Sequence, residues 1–397
     1  CLFVPIVAGR DGHDYIDAAM AAGAAAHLTS GAASAHPSVS VDDTSLALRR
    51  LGAAARRRVP GDVIGVTGSV GKTTTKDLLA GCLSTTKVTH ASYRSFNTEL
   101  GVPLTLLGAP DGVEVVVTEM GARGGGHISD LCDIAEPSIG VVLTVGAAHT
   151  ELFGDLRQVA AAKAELVEAL PATGTAVLNA DDELVAAMAE RTSAHLLLFG
   201  RTGDVRADDI SLDELLRPTF QLRTPWGDAP CRLASAGVHT VTNALAAAAT
   251  ALQVGVPIEA VVDGLGRAEI SPWRMEVVQL ASGATIVNDT YNANPLSMEA
   301  AIDALMALPA ERRVAVLGVM AELGDRHERD HRIVGDRLRR EGIEVISMNV
   351  PEYGGRLVTG IDAAVAALGK LDAEAVVLVK GSRVAALERV VEALRRN

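Results

Sequence analysis

The amino-acid sequence predicts an α/β protein of more than one domain. Three observations predict it. The chain has 397 residues, more than a single hydrophobic core usually organises. From Val63 onward, short β-branched runs alternate with stretches long enough for crossover helices, which marks a mostly parallel sheet. Near Pro272 the alternation starts afresh as a second, smaller α/β unit.

Residues 1–59 read as a partial N-terminal α/β unit. It has an apolar run, Leu2-Phe3-Val4-Pro5-Ile6-Val7, a polar loop at 9–14, an Ala-rich helix and further short elements. Residue 1 is Cys and leads straight into that run, so native sequence upstream is expected. Arg56-Arg57-Arg58 and Pro60 mark a boundary. Residues 60–271 form the central unit, with strands expected at 63–66, 113–118, 139–144 and 176–178. The stretch 218–233 is short, alternating and turn-rich, which predicts antiparallel strands, and a helix follows at 240–252. Residues 272–397 form the last unit, with strands at 285–288, 313–317, 344–348 and 375–379.

Hydrophobic residues make up 48 % but aromatics only 3 %, so the cores must be built from Ala, Val and Leu. The net charge of -13 argues against a nucleic-acid partner. It leaves room for an anionic substrate, which needs only a few local cations. No apolar run reaches the roughly 18 residues that a membrane span requires. Cys1, Cys82, Cys132 and Cys231 lack metal spacing and read as reduced thiols. With no signal peptide visible, a cytoplasmic location is expected.

The strongest single motif is Thr67-Gly68-Ser69-Val70-Gly71-Lys72-Thr73-Thr74, between a strand and a helix. That is the context of a phosphate-binding loop. Glycines let backbone N–H groups approach phosphate oxygens, and the helix N-terminus favours negative charge. Lys72 would reach the β- and γ-phosphates of ATP, and Thr73 would ligate magnesium. Val66 stands where the general pattern has its first glycine, so a plain glycine-rich turn is the alternative. No N-K-x-D segment is present to read guanine. The second apolar strand ends in Thr118-Glu119-Met120-Gly121 rather than in the Asp of motor and transport ATPases.

Five segments, TGSVGKTT, SFNTELGVPLTLL, TEMGARGGGHISDL, AAHTELFGD and AAKAEL, resemble the Mur ligase family in order and spacing. VLNADD, HTVTNALAAA, NDTYNANPLSMEAAI, LGVMAELGD and VKGSR narrow the resemblance. They point to the branch that adds D-alanyl-D-alanine to UDP-N-acetylmuramoyl-tripeptide. The resemblance covers nearly the whole chain. It implies a central P-loop ATPase domain, a C-terminal Rossmann-like ligase domain, and an N-terminal uridine-nucleotide domain. Residues 1–59, with Asp11-Gly12-His13-Asp14, match only the latter part of that first domain.

The resemblance also implies site residues. ATP would lie on Gly68, Ser69, Val70, Gly71, Lys72, Thr73 and Thr74, with Asn243 at adenine, Arg274 crossing to the phosphates and Asp289 at ribose. Two magnesium ions would be held by Thr73, Glu119, His149 and a carbamylated Lys163. Asn97, Tyr291, Asn292, Asn294, Ser297, Lys380 and Ser382 would position the acyl group and the incoming dipeptide. The ordinary alternatives are a salt-bridged Glu119, a core His149, a solvated Lys163, a helix-capping Asn243, a surface-paired Arg274 and a turn-capping Asp289. Two departures stand near these positions: Thr98 and Thr144 occupy places where the family often has Asn. A monomer whose two α/β domains close on the substrates is expected. The rival readings are a sister ligase for another acid–amine pair and an inactive nucleotide-binding scaffold.

Overall fold

A computed structural model describes residues 1–31, 35–146 and 155–396. Leu2–Phe3 (β1), Ala26–Thr29 (β2) and Ser38–Ser40 (β3) form a small parallel sheet, with the helix Ile16–Ala21 (α1) between β1 and β2. β1 is shorter than the apolar run that announced it. Pro5 has no N–H for a ladder, and the chain folds back so that Gly12 N donates to Ile6 O. The helix Thr44–Arg56 (α2) follows, with the Asp43 side chain accepting from Leu46 N.

The central sheet is all parallel. Its strands are Asp62–Thr67 (β4), Thr89–Ala91 (β5), Val115–Glu119 (β6), Ile139–Val142 (β7), Thr175–Asn179 (β8) and His195–Phe199 (β9), in the order β5-β6-β4-β7-β8-β9. Helices Lys72–Leu83 (α3), Gly101–Leu107 (α4), His127–Ala135 (α5) and Leu156–Glu168 (α6) connect the strands, as expected for crossovers. The strand order reverses at β4, so the carboxyl ends of β6, β4 and β7 open one crevice, where such sheets bind ligands.

The amphipathic α2 does not stay with the N-terminal unit. Ala55 and Val59 share a core with Val102 of α4 and Ile134 of α5. Arg49 pairs with Asp130 there.

Arg206–Leu212 (β10), which precedes the stretch expected to be antiparallel, pairs with Pro218–Thr224 (β11), and Gly227–Arg232 (β12) completes the sheet; the last two are the antiparallel strands expected at 218–233. The Ala-rich helix is Thr240–Gln253 (α7), and Ile258–Arg267 (α8) follows it. Ala244, Ala246, Ala247, Ala248, Ala249 and Ala251 are all completely buried, so this helix lies inside the domain, against α3. Small residues allow close approach here: a Cβ on Gly264 would lie 2.5 Å from the Cα of Cys82.

The C-terminal sheet comprises Glu276–Gln279 (β13), Thr285–Asp289 (β14), Arg312–Leu317 (β15), Glu344–Met348 (β16), Arg356–Val358 (β17) and Ala375–Lys380 (β18). Its order is β13-β14-β18-β15-β16-β17, with only β13 antiparallel. Helices Pro295–Ala307 (α9) and His327–Arg340 (α10) join α/β neighbours here. Separate clusters of buried aliphatic side chains cover the two faces of each large sheet. Among the described residues no helix is long and apolar enough to cross a membrane, and all four cysteines are unpaired.

Candidate active site

The phosphate-loop segment sits where β4 becomes α3. Gly71 adopts φ +84° before the first helical residue, Lys72, so the turn needs a residue that tolerates left-handed backbone. A Cβ on Gly71 would also fall 2.4 Å from Asn243 Oδ1, which places the α7 side chain directly on the loop. The loop is tied to the segment after β7. Ser69 N donates to Thr144 O at 2.9 Å, Gly146 N donates to Ser69 Oγ at 2.9 Å, and Val70 N to Thr144 Oγ1 at 3.3 Å. Thr144, one of the two departures, therefore supports the loop itself.

Gly71→Ala combines a steric clash with left-handed strain. We expect a stability loss of about 1–3 kcal/mol and a raised KM for ATP. Thermal melting and ATP titration check this; unchanged values in both would contradict the geometry.

Four side chains meet at the start of α3. Thr73 Oγ1 donates to Glu119 Oε2 at 2.7 Å, and Asn97 Nδ2 donates to Glu119 Oε1 at 2.8 Å. Arg274 Nη2, from the C-terminal domain, donates to Thr73 Oγ1 at 2.8 Å. Its guanidinium lies 4.1 Å from the centre of the Tyr291 ring, and its Nε is buried with no partner among the described residues. Thr73 and Glu119 are buried. Asn97, expected at the substrate, lies against Glu119 through this bond.

Burial lowers the pKa of both lysines here, Lys72 and Lys163. Lys72 Nζ donates to Gly68 O at 2.8 Å. Its pKa is lowered chiefly by burial; Glu119 opposes the shift and Arg274 adds to it. Lys163, on α6, is buried, and burial together with the positive charge of Lys72 lowers its pKa to about 7. His149 lies outside the described residues.

Magnesium fits this donor set. A hydroxyl and a carboxylate in mutual contact are oxygen ligands, which suit a hard cation. Among the described residues no three His, Cys, Asp or Glu side chains form a cage.

The residues of the C-terminal domain are largely engaged with one another. The parallel register sets Asp289 beside Lys380, and the two form an ion pair. Lys380 is fully buried and also donates to Asn292 O at 2.8 Å. Asp289 Oδ1 accepts from Met275 N at 3.2 Å. Asn294 and Ser297 form a capping box at the start of α9: Asn294 Oδ1 accepts from Ser297 N and Ser297 Oγ from Asn294 N. Ser382 Oγ accepts from Ala321 N at 2.9 Å and donates to Ala293 O. These five side chains shape the loop at 289–297 from beneath. Asn292 is exposed, and Tyr291 hydrogen-bonds across the domain boundary to Ser95.

The family descriptions that match are "Mur ligase middle domain" over residues 66–251 and "Mur ligase, glutamate ligase domain" over residues 273–383. A UDP-N-acetylmuramoyl-tripeptide–D-alanyl-D-alanine ligase of Mycobacterium tuberculosis strain H37Rv is 42 % identical over 367 residues, 84 % of this chain and 72 % of that protein. The Escherichia coli K12 protein of the same name is 36 % identical across 414 aligned positions, 100 % of this chain and 91 % of that protein. This chain belongs to the Mur ligase family.

Solved structures of Mur ligases agree with the fold. MurF from Acinetobacter baumannii superposes with a TM-score of 0.91 at 32 % identity, covering 100 % of this chain and 90 % of that one. MurF from Thermotoga maritima in complex with ADP gives 0.88 at 29 % identity, covering 100 % and 94 %. Of the quoted Mur ligase segments, TGSVGKTT, SFNTELGVPLTLL and TEMGARGGGHISDL meet through Thr73, Asn97 and Glu119. Sequence reading missed Ser92, whose hydroxyl accepts from Glu119 N at 3.1 Å, and Ser95, although SFNTELG begins with the latter. It also missed His239, at the start of α7, whose pKa is lowered by burial and which feels the charges of Asp289 and Lys380.

Proposed function

We propose that this chain joins the terminal carboxylate of UDP-N-acetylmuramoyl-tripeptide to the amine of D-alanyl-D-alanine, cleaving ATP to ADP and phosphate. A carboxylate oxygen attacks the γ-phosphorus, an O–P bond forms, and the bond to ADP breaks. The neutral amine then attacks the acyl carbon, the C–O bond breaks, and phosphate leaves as the amide forms. The amine loses its extra proton to solvent.

The observation that carries this reading is the meeting of Thr73, Glu119, Asn97 and Arg274 from two domains at the head of α3. Two anions must approach each other in the first step, so cations held from both sides are what the chemistry requires. Lys72 comes from the loop, and Arg274 comes from the opposite domain, with one donor still unpaired. Magnesium bound by Thr73 and Glu119 would neutralise phosphate charge and polarise the transferred group. Asn97 holds Glu119 in place, and Asn243 presses on the loop from α7. On the acceptor side, Asn292 is offered to the dipeptide, while Asp289, Lys380, Asn294, Ser297 and Ser382 hold its loop in shape.

Lys163 enters as a carbamate. Its neutral amine adds to carbon dioxide, an N–C bond forms as one C=O π bond opens onto oxygen, and one proton passes to solvent. The anionic product offers oxygen ligands that suit a hard cation and relieves the repulsion from Lys72.

Mass spectrometry of products from ATP, UDP-N-acetylmuramoyl-tripeptide and a panel of amines tests the substrate assignment. Only D-alanyl-D-alanine should give an efficient amide product. An efficient product with a different amine would favour the sister-ligase reading.

A further inference from the structure

We propose that Lys76 and Asp77 are positioning residues of this ligase site, with Asp77 acting through Arg274; the inference rests on the function proposed above. Both lie on α3, the helix that Lys72 and Thr73 open, and both are buried. Lys76 Nζ donates to Asp77 Oδ1 at 2.6 Å and to Ser92 O at 2.8 Å. Asp77 Oδ2 accepts from Ser271 N at 2.8 Å. Each member of the pair thus makes one bond within it and one that leaves it.

The two outgoing bonds reach the two arms of the site. Ser92 opens the segment that carries Ser95 and Asn97, and its own hydroxyl accepts from Glu119 N. Ser271 immediately precedes Pro272-Trp273-Arg274, where the chain enters the C-terminal domain. A buried ion pair seldom outdoes well-packed apolar side chains in stability. Here its geometry does something an apolar pair could not: it fixes two distant segments relative to the helix that holds the phosphates.

Arg274 needs such a grip. Both of its neighbours have left-handed backbone, with φ +66° at Trp273 and +51° at Met275. Bulky residues keep that conformation only where their surroundings over-determine it. The Arg383 guanidinium lies 4.7 Å from the centre of a Trp273 ring, and Asp289 holds Met275 N. Asp77, on Ser271 N, supplies the restraint that comes from the phosphate-loop helix itself. Without it the strained turn is free to relax and Arg274 drifts from Thr73.

A double-mutant cycle tests this, with kcat measured on ATP, UDP-N-acetylmuramoyl-tripeptide and D-alanyl-D-alanine. Asp77→Asn keeps the shape but offers one acceptor oxygen where the carboxylate offers two. It should lower kcat about 100-fold, the cost of misplacing a catalytic group by an ångström or so. In an Arg274→Ala background the same change should cost less than about 3-fold, because non-interacting sites add and these do not. Ser271→Pro removes the N–H donor while leaving the ion pair, and it should lower kcat in the same way, whatever the folding of the first variant. An equal loss from Asp77→Asn with and without Arg274, or full turnover in Ser271→Pro, overturns the proposal. A wild-type chain inactive on these three substrates would instead condemn the function on which it rests.

Discussion

Lys72→Ala is expected to lower ligation about 1,000-fold while leaving the fold intact. The cation it removes sits at the head of α3, with its Nζ on Gly68 O, within the fields of Glu119 and Arg274. Losing one preorganised donor at developing charge costs up to about 1,000-fold in kcat, and a full positive charge belongs at the upper end. The loss should fall mostly on kcat, since charge on the transferred phosphoryl group is greatest in transit. The backbone of the loop should persist. It is set by Gly71 and by the bonds of Ser69 and Val70 to residues 144–146, none of which uses the Lys72 side chain. Steady-state kinetics and far-UV circular dichroism check both halves. Near-normal ligation would remove Lys72 from the phosphate site.

Substitution at Lys163 should be almost as damaging, and its pattern diagnostic. With Lys163 as the proposed carbamate ligand, Lys163→Ala should lose about 100-fold. Small carboxylic acids should then restore part of the activity by entering the vacated space. Lys163→Arg should stay inactive, because a guanidinium keeps its charge and cannot be carbamylated. The pH dependence follows from the lowered pKa of about 7. Above pH 7 the amine is mostly neutral and can capture carbon dioxide; as pH falls below 7 it becomes ammonium and cannot. Bicarbonate added to carbon-dioxide-free enzyme should therefore stimulate more at pH 8 than at pH 6. Full activity in Lys163→Arg would make Lys163 a structural helix residue.

What could be read from the sequence has a physical pattern. The parallel sheets were legible because buried strands are continuous β-branched runs, as at 63–66 and 375–379. The phosphate loop was legible because its glycines, Lys72 and Thr73 are contiguous. α7 emerged as Thr240–Gln253 against an expected 240–252. By contrast, α2 shows an apolar face but no label for its partner, so its packing on α4 and α5 could not be foreseen. The resemblance places Asn294 and Ser297 at the substrate, and Asn followed by Pro and a Ser three places on is also a helix-start pattern, which both residues form at the head of α9. The pairing of Asp289 with Lys380 depends on strand register between segments 91 residues apart, which only the fold supplies. The Lys76–Asp77 pair was hidden for the same reason: its outgoing partners, Ser92 and Ser271, are remote in sequence.

The proposed activation of a carboxylate as an acyl phosphate leaves an isotopic mark. The most direct measurement uses UDP-N-acetylmuramoyl-tripeptide whose terminal carboxylate carries oxygen-18 on both oxygens. In the first step one of those oxygens becomes the bridge to phosphorus, and in the second it leaves with the phosphate. Mass spectrometry should find one labelled oxygen in the inorganic phosphate released with each amide formed, and the other in the new amide. Amide formation accompanied by unlabelled phosphate would contradict an acyl-phosphate intermediate.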